Sequence, residues 1–427
     1  MFSPKKLRYI LIVLVAGLLG YYIGVNKIEL DWNNFQPSVE ITSKEPPASV
    51  MHGDFSMFWT VLEKIQTTYY DKSAIDQQKI INGAIAGMVN SLDDPYTMYL
   101  PPKQNDNFKQ GLAGKFEGIG AELAMKEKDI VVVAPLDGSP AKRAGVKAGD
   151  IILKVYDENI SGWSLTQVVD KIRGPKGTEV SITLLHKSEE KPTTVKIVRD
   201  TITVKSLTSW TKKVKDVEGI NQKAPEIKAI ADEKVVYVRL SQFGDSTNDE
   251  WLALSNSIDR ELKADKNIKG VVFDLRNNPG GYLGDAVKIV SEFVKSGTAV
   301  MQEDREKERT SYPVTGKGLL TDVPLVVLIN GGSASASEIV SGALRDHGRA
   351  KLIGEKSFGK GTIQQAEDLG GGAGVHVTIA KWLTPNAIWV HKQGLEPDVK
   401  VDFDKKDPSH DVQLEKAIQT LLNPVEN

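Results

Sequence analysis

Short apolar strands alternate with helices between residues 234 and 353, and this alternation restricts the chain to few architectures. The strand-like and helical runs are, in chain order, 235–240, 251–262, 271–275, 283–294, 325–329, 338–344 and 351–353. Continuous Val, Ile and Leu strands separated by helices are typical of a mostly parallel sheet that is covered on both faces. The pattern therefore predicts an α/β core.

The rest of the chain has a different texture. Residues 54–100 have apolar positions at helical spacing, whereas 113–200 contains short β runs and glycine turns. Residues 201–233 are interpreted as a weakly ordered connection, and 412–422 as an amphipathic helix. No repeat of solenoid period is present. We therefore predict a multidomain protein of mixed α/β and α+β class.

Composition excludes several kinds of site. Lys plus Arg number 54 and Asp plus Glu number 56, so no basic surface for nucleic acid is expected. Cysteine is absent, which excludes disulfides, thiolate metal sites and a cysteine nucleophile. We expect neither a metal nor a cofactor.

The N-terminus carries the information on location. Lys5, Lys6 and Arg8 precede an uncharged run of 17 residues at 9–25. This length is at the lower limit of about 17–25 residues for a membrane-spanning helix, and no small-residue cleavage site follows it. We predict an uncleaved single-pass anchor over 1–25. A cleaved signal peptide and a buried helix are the alternatives. The preceding positive charges place the rest of the chain outside the cytoplasm.

Two glycine-rich turns follow predicted strands, at 277–281 and 330–338. Sites form at the carboxyl ends of strands in open α/β sheets, although ordinary turn chemistry explains a single such turn. The second turn carries three hydroxyls, Ser333, Ser335 and Ser337, at the start of a helix, where free N–H groups suit an oxyanion. Ser337 is predicted to be the N-cap of that helix. The residue chemistry alone does not rank the three serines.

The base for such a serine is predicted to be Lys360. None of the six histidines falls in a recognisable catalytic or metal-ligand spacing. Residues 354–360 mimic a phosphate-binding loop, but Gly361 replaces the required hydroxyl and a strand-like run follows. Lys360 lies between two glycines that allow close backbone packing, and burial would lower its pKa. Gln364 is a neutral partner that could orient the amine.

These residues resemble the signature of the C-terminal processing (tail-specific) peptidases of family S41. The resemblance implies that Ser335 is the nucleophile, Lys360 the general base and Gln364 its orienting partner. It also implies an oxyanion hole formed by the N–H of Ala336 with that of Gly280 or Gly281, a crotonase-like core and a homodimer. Asn386-Ala387 departs from the commoner Ser-Gly of the family. The segments that carry the resemblance are 276–281, 330–338, 359–364, 384–385 and 394–399.

The middle segment resembles a PDZ domain, a β-barrel-like module. Phe116, Gly118, Ile119 and Gly120 match the loop whose N–H groups hold a free C-terminal carboxylate while the peptide adds as a strand. A β-branched residue at either glycine should distort this loop. The segments that match the PDZ helices and the following strand are 139–152 and 165–172.

Together these features predict a membrane-anchored, extracytoplasmic serine endopeptidase that cleaves proteins near their C-termini. The alternatives are a catalytically silent PDZ adaptor and an amidase or carboxypeptidase that acts on wall peptides. The predicted parts are an anchor (1–25), a tether (26–53), a helical cap or dimerisation region (54–112), a PDZ domain (113–200), a peptidase core (201–403) and a helical tail (404–427).

Overall fold

The computed structural model describes residues 54–423 except 127, 137, 187–188, 405 and 408, together with 14, 15, 17, 28–33 and 36–41. Apart from Leu14, Val15 and Gly17, the predicted anchor at 9–25 lies outside the described residues. None of the helices within the described ranges is long and apolar enough to cross a membrane. The chain divides into two compact units, residues 1–80 and 81–427.

Among its described residues, the first unit contains an antiparallel pair of strands and one complete α-helix. Helix α1 carries the apolar face that the sequence predicts, and none of its residues is buried. A second helix, α2, crosses into the next unit. The elements are β1 (Ile28–Asn33), β2 (Gln36–Ile41), α1 (Ser56–Thr68) and α2 (Gln77–Asn90).

The second unit begins with a β-rich part. Five strands follow one another in the order β10-β9-β7-β6-β5, with β8 beside β7, while β11 pairs with β4. Val180, Ile182 and Leu184 alternate inward along β9 and are buried. The elements are β3 (Met98–Leu100), α3 (Pro102–Leu112), β4 (Lys115–Gly118), β5 (Ala121–Lys126), β6 (Asp129–Pro135), α4 (Pro140–Arg143), β7 (Ile151–Val155), β8 (Glu158–Asn159), α5 (Leu165–Ile172), β9 (Glu179–Leu185), β10 (Thr193–Val198) and β11 (Asp200–Thr203).

A six-stranded sheet forms the centre of the rest of this unit, in the order β12-β13-β14-β17-β18-β21. All neighbours are parallel except β12 and β13, which confirms the predicted mostly parallel sheet. The elements are β12 (Leu207–Lys213), α6 (Pro225–Ala229), β13 (Lys234–Leu240), α7 (Thr247–Ala264), β14 (Ile268–Asp274), α8 (Leu283–Phe293), β15 (Thr298–Asp304), β16 (Arg309–Pro313), β17 (Leu325–Ile329), α9 (Ala336–Asp346), β18 (Lys351–Gly354), β19 (Thr362–Gly370), β20 (Ala373–Leu383), β21 (Val399–Lys400) and α10 (Val412–Leu422).

Both faces of this sheet are buried at β17, which explains why that strand is apolar throughout. In β17, Val327 packs into one apolar cluster together with Phe273 of β14. Val326, its neighbour in the chain, packs into a second cluster with Leu414 of α10. Helix α10 is therefore a layer of the core, and its predicted range is confirmed.

The expectation of weak order over 201–233 is wrong. Strand β12 pairs with β13 along its whole length and forms the antiparallel edge of the central sheet. The sequence of β12 lacks the apolar run of a buried strand because an edge strand is partly exposed. Leu207 is buried, but the following residues are polar or half-buried.

A second sheet has the order β16-β15-β20-β19, with β3 also paired to β20. Lys360 lies two residues before the start of β19, and Gln364 lies within this strand. Strand β3 precedes the predicted PDZ domain in the chain. It joins the second sheet because Met98 pairs with His376 of β20. This part of the chain therefore lies beside the segment that holds the candidate base.

A buried ion cluster links α10 to the turn after β14. Arg276 donates to both carboxylate oxygens of Asp411, at 2.8 and 2.9 Å. It also donates to Asp274, which is completely buried and accepts from Tyr237 Oη. Asp411 caps α10 by accepting from Leu414 N at 2.9 Å. Hydrogen bonds from Arg276 hold the pKa of Asp411 below its ordinary value, against the opposing effect of burial.

We predict that Asp411→Asn lowers the free energy of unfolding by about 1–3 kcal/mol at pH 7, because a charge-assisted pair is lost while the cap is kept. The folded-state pKa of Asp411 is depressed, so this contribution is present above the unfolded value of about 3.9 and is lost as pH falls through the folded value. Urea denaturation at pH 7 and below pH 4 measures the difference. The exposed control Asp216→Asn should have little effect, and equal effects would contradict the prediction.

Candidate active site

Ser335 lies between β17 and α9, at the first residue before the helix. Its backbone has φ 56° and ψ −116°, a conformation that costs a non-glycine residue roughly 1–3 kcal/mol. Strain of this kind is retained where the surrounding structure holds the residue firmly. Of the three serines, only Ser335 is partly exposed, whereas Ser333 and Ser337 are completely buried.

Ser333 and Ser337 connect the two glycine-rich turns. Ser333 Oγ donates to Leu275 O at 2.8 Å, and Ser337 Oγ donates to Asn278 O at 2.8 Å. The prediction that Ser337 is the N-cap is wrong, since α9 begins at Ala336 and the cap position is Ser335. The small residues at the start of α9 carry no apolar pattern, so the sequence places its start too late.

Gly280 and Gly281 come into close contact with the chain around Ser335 and Phe243. A Cβ at 280 would lie 2.7 Å from Ser335 Cβ, and a Cβ at 281 would lie 1.7 Å from Phe243 O. The N–H of Gly280 donates to Asn278 Oδ1 at 2.8 Å. The N–H groups of Gly281 and Ala336 have no acceptor among the described residues. Of the three predicted oxyanion donors, Gly280 is thus engaged, and the other two are available.

Lys360 is packed closely on both sides, as its flanking glycines predict. A Cβ at Gly359 would lie 2.8 Å from Gly394 N, and one at Gly361 would lie 2.7 Å from Trp389 Nε1. Trp382 Nε1 donates to Lys360 O at 2.9 Å. No larger residue than glycine fits at either neighbouring position without displacing these groups.

The side chain of Lys360 is half-buried at the cleft. Burial lowers the pKa of Lys360 from its ordinary value, and the carboxylates of Asp94 and Glu338 oppose this change. The direction agrees with the expectation for a lysine base, which must lose its proton near neutral pH.

Ser335, Lys360 and Gln364 line the same cleft, of about 410 Å³. Across the described part of the chain, no hydrogen bond joins Lys360 Nζ to either of the other two side chains. Gln364 Nε2 donates instead to Thr362 Oγ1 and Thr378 Oγ1, both at 3.0 Å. The structure thus brings the three predicted residues together, and the orienting role of Gln364 stays a prediction.

Glu338 links the serine segment to the lysine segment. It is completely buried. One carboxylate oxygen accepts from Ser335 N and Lys360 N, both at 2.9 Å. The other accepts from Ser357 Oγ at 2.6 Å and from Gly359 N at 2.7 Å. Sequence reasoning did not identify Glu338, although an acidic residue three positions after a serine at a helix start is a capping-box signal.

The cleft is completed by residues that precede the predicted PDZ domain, a contribution that sequence reasoning also missed. The ring of Phe108 meets His376 edge-on, with their centroids 4.5 Å apart. Besides the three predicted catalytic residues, the cleft is lined chiefly by Tyr96, Met98, Phe108, Leu112, Gly280, Gly281, Ile339, Ile363 and His376.

The four predicted PDZ-loop residues line a separate cleft of about 210 Å³. Strand β5 forms one side of this cleft and is the last strand of its sheet. Helix α5 contributes Val169 and Ile172 to the other side, so the walls are mainly apolar. The residues that line it are Phe116, Gly118, Ile119, Gly120, Ala121, Leu123, Val169, Ile172 and Arg173.

The two glycines of this loop are not equivalent. Gly120 has φ 72°, and a Cβ there would lie 2.5 Å from Ser139 Cβ. A Cβ at Gly118 would meet nothing closer than 3.7 Å, an ordinary contact. A Cβ therefore collides at Gly120 and has room at Gly118, and the expected effect of a β-branched residue at 118 stays a prediction.

We predict that Glu338→Gln lowers the free energy of unfolding by about 2–4 kcal/mol, because the new amide places a donor against buried N–H or O–H donors. Urea denaturation followed by tryptophan fluorescence measures the loss. The matched control is Glu218→Gln, since the side chain of Glu218 is 95% exposed. A loss no larger than that of the control would contradict the role of Glu338 as the link between the two segments.

Three protein-family models match the chain. They are the CtpB N-terminal domain of activating proteases at 14–103, the PDZ domain at 131–186 and peptidase family S41 at 234–401. The PDZ and S41 matches fall on the β-rich part and on the central sheet, respectively. Both candidate clefts include residues of the matched regions.

Similar proteins include the carboxy-terminal processing protease CtpB of Bacillus subtilis, 32% identical over 97% of this chain and 82% of that protein. A probable CtpA-like serine protease of Staphylococcus aureus (strain COL) is 38% identical over 81% of this chain, and the match spans 64% of that relative's length. The solved photosystem II D1 C-terminal processing protease has 31% identity and a TM-score of 0.50, covering 86% of this chain and 91% of that one. The chain therefore belongs to peptidase family S41, with the carboxy-terminal processing proteases.

Proposed function

We propose that this protein is a serine endopeptidase that cleaves extracytoplasmic proteins near their C-termini by means of Ser335 and Lys360. The observation that carries the proposal is the placement of both side chains in one cleft, with their backbone N–H groups held by the same carboxylate of Glu338. The segments that contain Ser335 and Lys360 thus supply a nucleophile and a base, and the shared carboxylate holds the two segments together.

In the proposed reaction, Lys360 Nζ accepts the proton of Ser335 Oγ while this oxygen attacks the carbonyl carbon of the substrate. The N–H groups of Gly281 and Ala336 donate to the oxyanion that forms. The lysine then protonates the leaving amine, and water hydrolyses the acyl-enzyme in a second, equivalent step. The amine must approach Ser335 for this transfer, a tightening that is common when substrate binds.

We propose that the PDZ domain selects the substrate. The free edge of β5 can add a peptide strand, and the loop at 118–120 can donate N–H groups to a terminal carboxylate. The apolar walls from Leu123, Val169 and Ile172 favour an apolar final side chain. Protein C-termini are thus the proposed partners, in agreement with the PDZ match.

The proposed location is the outer face of a cell membrane, with residues 1–25 as a single-pass anchor. This rests on the charge pattern of Lys5, Lys6 and Arg8 before the apolar run. The homodimer implied by the family resemblance stays a prediction.

Ser335→Ala and Lys360→Ala should each abolish turnover, because two members of one catalytic unit do not contribute additively. Lys360→Arg should be inactive as well, since a guanidinium stays protonated. Turnover of the native protein should rise with pH along a limb below pH 10.5, because burial lowers the pKa of Lys360 from that value. Peptide hydrolysis by the three purified variants, and by the native protein as a function of pH, measures these effects.

The controls for this experiment are Ser91→Ala and Lys356→Ala, both at exposed positions. They should retain native turnover. If Ser335→Ala cleaves substrate at the native rate, the proposed mechanism is wrong. If the native protein itself shows no turnover, the alternative of a catalytically silent adaptor is favoured.

Gly120→Ala should raise KM for proteins with a free apolar tail by at least about tenfold, because the new Cβ collides with Ser139 and distorts the loop. Hydrolysis of short peptides without a tail should change much less. Gly118→Ala is the matched control, since its Cβ has room. Equal losses on both substrate types would contradict selection by this cleft.

The anchor predicts that the intact protein sediments with membranes and is digested by protease added outside spheroplasts. Mass spectrometry of the N-terminus provides the check. Recovery of a soluble protein that starts near residue 26 would show a cleaved signal peptide instead.

A further inference from the structure

Tyr96 covers the amine of Lys360 from a part of the chain outside the S41 match. Lys360 Nζ lies 5.1 Å from the centroid of the Tyr96 ring. Both residues line the cleft that contains Ser335. The S41 match covers 234–401, whereas Tyr96 is in the turn that follows α2.

The turn that carries Tyr96 is held by a network of short polar side chains. Asp94 accepts from Tyr96 N at 3.1 Å and from Thr97 Oγ1 at 2.7 Å. Thr97 Oγ1 in turn accepts from Thr378 N of β20 at 3.0 Å. Since Thr378 Oγ1 also accepts from Gln364, the turn and the predicted orienting residue share a partner. The ring position is therefore fixed relative to the lysine segment.

A pair of stacked rings also contacts Tyr96. The His391 ring meets Tyr96 with the centroids 6.0 Å apart, and His391 stacks on Trp389 at 5.0 Å and 11°. Trp389 Nε1 donates to Gly361 O at 2.8 Å. Because a Cβ at 361 would lie 2.7 Å from Trp389 Nε1 and 2.8 Å from His391 Cβ, the glycine after Lys360 permits this packing.

We propose that Tyr96 is a positioning residue for the Ser335–Lys360 pair, which covers the lysine amine and keeps water away from it. This inference rests on the proposed function. It assigns a part in catalysis to the segment before the PDZ domain. Through Tyr96, this segment supplies a wall of the pocket that holds Lys360.

The charges around Lys360 make such a cover necessary. Asp94 and Glu338 face the amine and favour its protonated form. The imidazole of His376 lines the same cleft, and that of His391 contacts Tyr96. Burial lowers the pKa of both, so they add no positive charge at neutral pH. Burial is therefore the influence that lowers the pKa of Lys360, and removing the covering ring exposes the amine to water.

The experiment compares Tyr96→Ala, Tyr96→Leu and Tyr96→Phe by the pH dependence of kcat on a short peptide without a PDZ-binding tail. Tyr96→Ala should displace the rising limb to higher pH and lower kcat at pH 7 at least about tenfold, with recovery at alkaline pH. In Tyr96→Phe, kcat should rise over the same pH range as in the native protein. In Tyr96→Leu the rise should also stay at the native pH, because an aliphatic side chain still covers the amine. Tyr70→Ala, at a fully exposed tyrosine, is the matched control.

A second measurement does not depend on turnover. In a Ser335→Ala background, the Lys360 resonance is titrated by NMR with labelled lysine and assigned by its loss in Lys360→Arg. Tyr96→Ala should raise the titration midpoint. An unchanged midpoint and an unchanged limb would overturn the role of Tyr96 while the catalytic pair stands. Native turnover by Ser335→Ala in the otherwise native chain would instead refute the pair itself.

Discussion

The buried carboxylate of Glu338 is the interaction on which the candidate site depends. It accepts four hydrogen bonds, from Ser335 N, Ser357 Oγ, Gly359 N and Lys360 N. These donors come from two segments that no strand pairing connects at this point. An acceptor without donors would be costly at such a depth, so the two segments must arrive together for the carboxylate to be satisfied. The same carboxylate thus holds Ser335, whose backbone is strained.

The central sheet supplies the frame for this contact. Strands β14 and β17 are parallel neighbours, so their following turns meet at one edge of the sheet. Ser333 and Ser337 bond across this edge to Leu275 and Asn278, which brings Gly280 and Gly281 against the start of α9. Because α10 covers the opposite face and Arg276 pairs with Asp411, the end of the chain also supports the turn that holds these glycines.

The electrostatic character of Lys360 results from opposing influences. Burial favours the neutral amine, and the carboxylates of Asp94 and Glu338 favour the charged one. Glu338 is needed to hold the backbone, so its effect on the lysine is a cost of the architecture. The pocket offsets this cost by excluding water with rings from distant parts of the chain, among them Tyr96 and Trp382.

The sequence by itself determined the elements whose signal is local. Buried parallel strands are apolar throughout, so β17 could be placed from its run of apolar residues, although the start of α9 was placed too late. The glycines beside Lys360 and the motif spacing likewise identified the candidate residues. Only the tertiary structure decided which hydroxyl reaches the cleft, that Gly280 is engaged by Asn278, and that Glu338 and Tyr96 complete the site. Edge strand β12 and these contacts escaped the sequence because they depend on partners far along the chain, and neither residue type nor periodicity records which distant groups a fold brings together.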